Sequence, residues 1–116
     1  MDDLDDLGML APKRVGPEEI APVVKDNTRY EVIHWGKDQG LGQNGGIITA
    51  INDQTNETLW VLKVYEIQYD EAMEEDVQDL FIQSLDIGSE ANTLKVTDEN
   101  NKVYWVDTHA KTVRAE

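Results

Sequence analysis

The sequence predicts a mainly β domain built as an antiparallel meander of two blade-like β units. Short runs of β-branched and aromatic residues recur from Thr28 onward, and polar turns separate them. When the chain is shifted by 55 residues, apolar positions in 28–32 coincide with those in 83–87, and those in 46–49 coincide with those in 101–104. We therefore expect two successive units of the same kind.

The runs that favour strands are short, and each is followed by residues typical of turns. Trp35, Trp60 and Trp105 lie within these runs. Because each indole can bury about 150–250 Å², we expect these rings to form much of the core, with an exposed aromatic row facing a ligand or partner as the alternative. The runs are 28–35, 47–51, 58–67, 77–87, 93–97 and 102–107.

One segment is compatible with either a strand or a helix. Met73, Val77, Leu80 and Phe81 recur at helical spacing, and the acidic residues before them suit the N-terminus of a helix. An extended chain would instead place the odd-numbered apolar residues of this segment on one face. A short helix near residues 71–85 would make the domain α+β.

Residues 1–26 differ in composition from the rest of the chain. They contain all three prolines and two acidic clusters, which interrupt strand and helix patterns every few residues. The sequence therefore predicts a mobile, acidic, proline-containing arm over 1–26 and a single β-rich domain over 27–116.

The charge balance is strongly acidic, with 24 Asp and Glu residues against 10 Lys and Arg residues and a formal charge of -14. This balance argues against nucleic acids and anionic membranes as partners, because both are bound through Lys and Arg. The acidic first residues do not match a secretory signal. We therefore expect a cytoplasmic protein, with an exported mature form as the alternative.

A short motif gives a resemblance to a known family. Ala50 and Trp60 match the blade signature of the quinoprotein-type (PQQ-like) β-propellers, with Asn52 in the place of an acidic residue and Asn56 in the place of a turn glycine. The segment 102–114 is similar to the end of a second such blade, with an aspartate in the acidic place and no terminal tryptophan. The resemblance implies blade-like sheets docked through the tryptophan, and it implies neither a closed ring nor a bound quinone.

The function that the sequence favours is a non-catalytic interaction module that binds a basic protein partner, as an inhibitor, an immunity-type protein or an assembly factor does. Acidic residues steer the approach of a positive partner, and apolar neighbours supply a contact that excludes water. The segment 70–79 combines both. Its predicted partner-binding residues are Asp70, Glu71, Met73, Glu74, Glu75, Asp76 and Asp79.

The alternative is a small-ligand-binding domain or an enzyme that uses the Gly-rich loop 36–46 together with His34 and Trp35. Gly40, Gly42 and Gly45 have the spacing of a dinucleotide fingerprint, which requires a helix immediately after it. The next run is typical of a strand, so we expect a flexible or bulged loop.

The sequence predicts no cofactor and no dedicated metal site. The chain lacks cysteine, and its two histidines are 75 positions apart, which matches no metal-ligand spacing. The acidic turns lack the central glycine and terminal glutamate of an EF-hand loop.

Overall fold

A computed structural model describes residue 17, residues 19–69 and residues 78–116. Within these residues the chain forms two four-stranded antiparallel sheets, each with its strands in sequence order. This confirms the prediction of a mainly β meander of two units. Sheet A comprises β1 (Val23–Lys25), β2 (Thr28–Ile33), β3 (Ile47–Asn52) and β4 (Thr58–Lys63); sheet B comprises β5 (Ile82–Ile87), β6 (Thr93–Asp98), β7 (Val103–Asp107) and β8 (Thr112–Ala115); a 3-10 helix, Gly36–Gln39, lies between β2 and β3.

The turn after the third strand is the same in both sheets. Asn52 and Asp107, 55 positions apart, each accept hydrogen bonds through Oδ1 from the N–H groups two and three residues later, at 2.9–3.1 Å. Four positions after each of them, Asn56 and Lys111 adopt φ of 63° and 58°. The backbone N–H groups of Ala110 and His109 donate to the Asp107 carboxylate. These bonds, of which the one from Ala110 has the larger effect, hold the pKa of Asp107 below its ordinary value. The 55-residue shift therefore corresponds to a shared turn geometry.

A second shared contact ties this turn to the first hairpin of each sheet. Asn27 and Asn92 both have positive φ, 63° and 59°. The carbonyl oxygen of Asn27 accepts the N–H of Asp53 at 2.9 Å, and that of Asn92 accepts the N–H of Thr108 at 2.8 Å. The two sheets are thus built alike.

The shift of 55 residues superposes the third strands of the two sheets correctly. It is wrong for the earlier strands. It superposes 28–32 on 83–87, whereas β2 is the second strand of sheet A and β5 is the first strand of sheet B. The counterpart of β2 is β6. The offset changes because the Gly-rich loop makes the connection between β2 and β3 longer than the short turn between β6 and β7.

Equivalent strand positions face the core in sheet A and the outside in sheet B. Ala50 and Trp105 occupy equivalent positions, two residues before the shared turn, yet Ala50 is fully buried and Trp105 is half-buried on the outer face of sheet B. Sheet B instead turns Tyr104 and Val106 inward. The residues buried between the sheets are Ile48, Val64, Ile82, Leu85, Leu94, Val96, Tyr104 and Val106.

The three tryptophans differ in burial. Trp60 packs against the core, with its ring centroid 6.0 Å from that of Tyr30. Trp35 is 51% exposed, so the expectation of a core role is wrong for this ring. It lies after the last residue of β2, where the chain leaves the sheet and enters the 3-10 helix, and the strand alternation no longer turns its side chain toward sheet B.

The helix alternative is wrong for residues 82–87, which form strand β5, whereas Gln78 is helical. Ile82 and Leu85 are both buried although they are three positions apart, which is a helical spacing. The register shifts between Ile82 and Ser84, and this β-bulge brings both side chains to the same face. Residues 70–77 lie outside the described part. Among the described residues, no helix is long and apolar enough to cross a membrane.

Regular structure begins inside the segment that the sequence assigns to the arm. Strand β1 pairs with β2 through a two-residue turn at Asp26 and Asn27, where both residues have positive φ, as a type I′ hairpin requires. Ile20 packs against the core. The described sheet therefore starts before residue 27, while 1–16 and residue 18 lie outside the described residues.

Candidate functional site

The two ends of the acidic segment 70–78 are joined by a hydrogen bond. Tyr69 Oη donates to Asp79 Oδ1 at 2.5 Å. Asn44 reinforces this contact, since its Nδ2 donates to Asp79 Oδ2 at 3.1 Å and its backbone N–H donates to Tyr69 Oη at 3.3 Å. A buried polar group is stable only when such partners replace water. The chain therefore enters and leaves the acidic segment at one fixed point.

Asp79, the one predicted partner-binding residue that the structure describes, is buried. Asp79 is only 6% exposed, and its carboxylate accepts hydrogen bonds from Tyr69 and Asn44. It therefore joins the base of the segment to Tyr69 and to the Gly-rich loop. The other predicted partner-binding residues lie outside the described part of the chain: Asp70, Glu71, Met73, Glu74, Glu75 and Asp76.

The Gly-rich loop 36–46 and the chain leading to Tyr69 form one hydrogen-bonded unit. Gln43 is 2% exposed, and its Nε2 donates to the carbonyl oxygens of Gly45 and Tyr65 at 2.8 and 2.9 Å. Its Oε1 accepts the N–H of Ile67 at 3.0 Å. From the same loop, Lys37 Nζ lies 4.0 Å from the centroid of the Tyr69 ring. This loop therefore holds one end of the acidic segment in place.

The glycines of the loop serve its packing and turns. A Cβ on Gly45 would lie 2.2 Å from the carbonyl oxygen of Leu80, which no side chain allows. Gly40 ends the 3-10 helix at φ 77°, and Gly42 has φ 84°, a region that glycine adopts at little cost. Strand β3 follows the loop, where a dinucleotide fingerprint requires a helix. The prediction of a loop in place of a phosphate-binding turn agrees with this arrangement.

His34 and Trp35 line a cavity of about 550 Å³, together with Gln39 and residues of the segment 17–22. The three glycines of the predicted ligand loop are not among its lining residues. Both rings also contact Phe81 edge-on, each with a centroid distance of 5.6 Å. Phe81 comes two residues after Asp79, so the two candidate sites predicted from the sequence adjoin each other.

Three residues that organise this region were not predicted as site residues from the sequence. Tyr69 and Asn44 contact Asp79, and Phe81 contacts Trp35. The partners in each pair are far apart in the sequence, and folding brings them together. A tyrosine and an aspartate stand at the two ends of the acidic run. This is the one sequence signal that could have suggested the contact between Tyr69 and Asp79.

A second buried polar cluster lies between the sheets. Tyr104 Oη donates to Asp98 Oδ2 at 3.1 Å, and the Tyr104 ring stacks on Tyr65 with centroids 5.0 Å apart. Burial, together with the bond to Asp98, raises the pKa of Tyr104 to about 12. Burial likewise raises the pKa of Tyr65, whose hydroxyl donates to the carbonyl oxygen of Leu80 at 2.6 Å. Both phenols are therefore neutral hydrogen-bond donors, and their stacked rings join the segment after β4 to strand β7.

Within the described ranges, no group of three or more His, Cys, Asp or Glu side chains is placed to hold a metal ion. No protein-family model matches the chain, and a comparison with curated proteins finds no match.

Proposed function

We propose that the chain is a non-catalytic interaction module that binds a basic protein partner through the acidic segment 70–76. Five of these seven residues are acidic, and the chain has a formal charge of -14. Such a field accelerates the approach of a positively charged partner. The roles that fit this chemistry are those of an inhibitor, an immunity-type protein or an assembly factor. We also propose that the two sheets are degenerate blades of the quinoprotein-type repeat, with Trp60 as the docking residue.

The observation that carries this proposal is the contact between Tyr69 and Asp79. It fixes both ends of the acidic segment against the Gly-rich loop, at one site beside the two sheets. A binding segment with fixed ends loses less conformational entropy when a partner docks, which increases its affinity.

An exposed aromatic ring beside this base supports the same proposal. Trp35 is 51% exposed and packs edge-on against Phe81, close to the point where the acidic segment ends. Exposed tryptophans surrounded by polar residues are frequent anchors in protein interfaces. We therefore include Trp35 in the proposed partner footprint.

The proposal is tested by affinity capture with three immobilised chains. The wild-type chain is compared with a triple variant, Glu74→Gln, Glu75→Gln and Asp76→Asn, and with a control, Glu57→Gln, Asp86→Asn and Glu90→Gln. Both variants lose three charges, and the control residues are exposed on the sheets or their turns. A basic protein that is retained by the wild type and the control and lost by the triple variant supports the proposal. Equal retention by all three chains overturns it.

The cavity beside His34 favours a second candidate, the binding of a small ligand. Its volume of about 550 Å³ lies within the range of roughly 300–1,000 Å³ that is common for ligand pockets. A fragment screen by ligand-observed NMR tests this candidate. A hit that is lost in His34→Ala and retained in the triple amide variant supports it, whereas hits that are indifferent to His34 remove it.

A further inference from the structure

The two sheets pack on each other through faces that are not equivalent. Sheet A turns inward the face that carries Trp60 and, directly opposite it, the buried Ala50. In sheet B, Trp105 occupies the position of Ala50 and lies on the outer face. We call the face with the tryptophan the front face of each sheet and the other its back face. The contact inside the chain therefore joins the front face of sheet A to the back face of sheet B.

The outside of the pair consists of the remaining two faces, the back face of sheet A and the front face of sheet B. All strands of the described residues belong to these two sheets, so no described strand covers either face. A contact between non-equivalent faces is heterologous and leaves one face of each kind free. A further copy of the chain can therefore repeat, between molecules, the front-to-back contact that the chain makes within itself.

The back face of sheet A presents apolar side chains to solvent. Val24 and Val61 are 52% and 44% exposed. Val24 shares a row with Ile51, and Arg29 between them is ion-paired with two neighbouring carboxylates. Val61 is directly opposite Thr49 in the next row. Because apolar surface ringed by polar residues marks protein interfaces, this face has the surface that a docked copy would bury.

The front face of sheet B presents a large side chain where the packed front face has a small one. Trp105, which is half-buried, stands at the position of Ala50. On the back faces the sizes are reversed, since sheet B has Tyr104 where sheet A has Thr49. The packed faces therefore combine a small front residue with a large back residue, and the free faces combine a large front residue with a small back residue. The two free faces are thus complementary in size.

The charges on the two free faces are mixed in sign, so neither face selects an occupant by charge. They are Lys95, Arg114, Asp86 and Asp107 on the front face of sheet B, with Glu90 and Glu116 beside it, and Glu31, Lys63 and the paired Arg29 on the back face of sheet A. The chain as a whole has a formal charge of -14, so two copies repel each other at long range. Association through these faces would depend on apolar burial, and it would strengthen when salt screens the repulsion.

We propose that copies of this chain associate head to tail, with the front face of sheet B in one copy docked on the back face of sheet A in the next. The indole of Trp105 lies against Thr49 and Val61 of the next copy. Because the contact is heterologous, repeated association builds a row of copies or a closed ring. The proposal does not rest on the function proposed for segment 70–76.

Sedimentation velocity, measured over a range of protein concentrations, tests this proposal. Trp105→Asp blocks the front face of sheet B, and Val61→Asp blocks the back face of sheet A. The sedimentation coefficient of the wild-type chain should rise with concentration, and it should rise more at about 0.5 M salt than at about 0.05 M. Each variant alone should stay monomeric. An equal mixture of the two should form a dimer and nothing larger, because each variant retains one intact face.

Ala91→Asp is the matched control, because it adds the same charge in an exposed turn between β5 and β6 and should associate as the wild type does. A second pair, Arg114→Asp and Val24→Asp, changes exposed residues of the same faces and repeats the test if either first variant does not fold. A wild-type chain that stays monomeric at every concentration and salt overturns the proposal. So does a mixture of the two face variants that remains monomeric, or a single variant that associates as the wild type does.

Discussion

Tyr69 Oη donates a hydrogen bond of 2.5 Å to Asp79, and this contact closes the base of the most acidic segment of the chain. The two residues are ten positions apart in the sequence and in direct contact in the structure. The same carboxylate also accepts a bond from Asn44 of the Gly-rich loop, so three parts of the chain meet at one buried anion.

The first prediction concerns this contact. Tyr69→Phe removes one hydrogen-bond donor from the buried carboxylate of Asp79, which should lower the free energy of unfolding by about 1–3 kcal/mol. Urea denaturation measures the change. Tyr30→Phe is the matched control, because the Tyr30 ring packs on Trp60 and its hydroxyl has no bond among the described residues. Equal stability of the two variants would show that the contact contributes nothing.

The second prediction compares two glycines of the loop. Gly45→Ala forces a Cβ against the Leu80 carbonyl and should cost about 1–3 kcal/mol, with a shift of the loop away from Leu80. Gly40→Ala meets no atom within 4 Å and carries only the strain of its positive φ, about 1 kcal/mol. Thermal unfolding of both variants checks the order, and a more damaging Gly40→Ala would contradict it.

The third prediction concerns the tryptophans. Trp60→Ala removes a ring that packs against the core and should lower the free energy of unfolding by about 3 kcal/mol, near the lower end for large core residues because the ring is only partly buried. Trp35→Ala should lower it by less than about 1 kcal/mol, since this ring is half exposed. Chemical denaturation decides between them. Similar losses in both variants would place Trp35 in the core after all.

The fourth prediction concerns alkaline pH. The pKa of Tyr104 rises from 10.0 to about 12 on folding, so the folded state retains a proton that the unfolded state releases. The contribution of this group is fully present below pH 10 and is lost as the pH rises through about 12. The free energy of unfolding should therefore fall over this range, and less steeply in Tyr104→Phe. An identical slope in the variant would show that Tyr104 is not responsible.

The fold was predictable where local chemistry determines it. Asn52 and Asp107 have side chains that bond to their own turns, and the β-branched runs beside them form strands in any context that buries one face. The bulge at β5 was not predictable, because Ile82 and Leu85 have a spacing that a helix and a bulged strand share. The burial of Asp79 was also beyond reach, since it depends on Asn44, which is 35 positions away.

The most direct test of the central claim is the salt dependence of association with the basic protein captured by the wild-type chain. Stopped-flow rates are measured between about 0.05 and 0.5 M salt, where the screening length falls to a few ångströms. We expect the association rate of the wild-type chain to fall steeply with salt, and that of the triple variant Glu74→Gln, Glu75→Gln, Asp76→Asn to be slower and flatter with unchanged folding stability. An association rate that is insensitive to salt, or one that the triple variant leaves unchanged, would contradict the claim that segment 70–76 receives the partner.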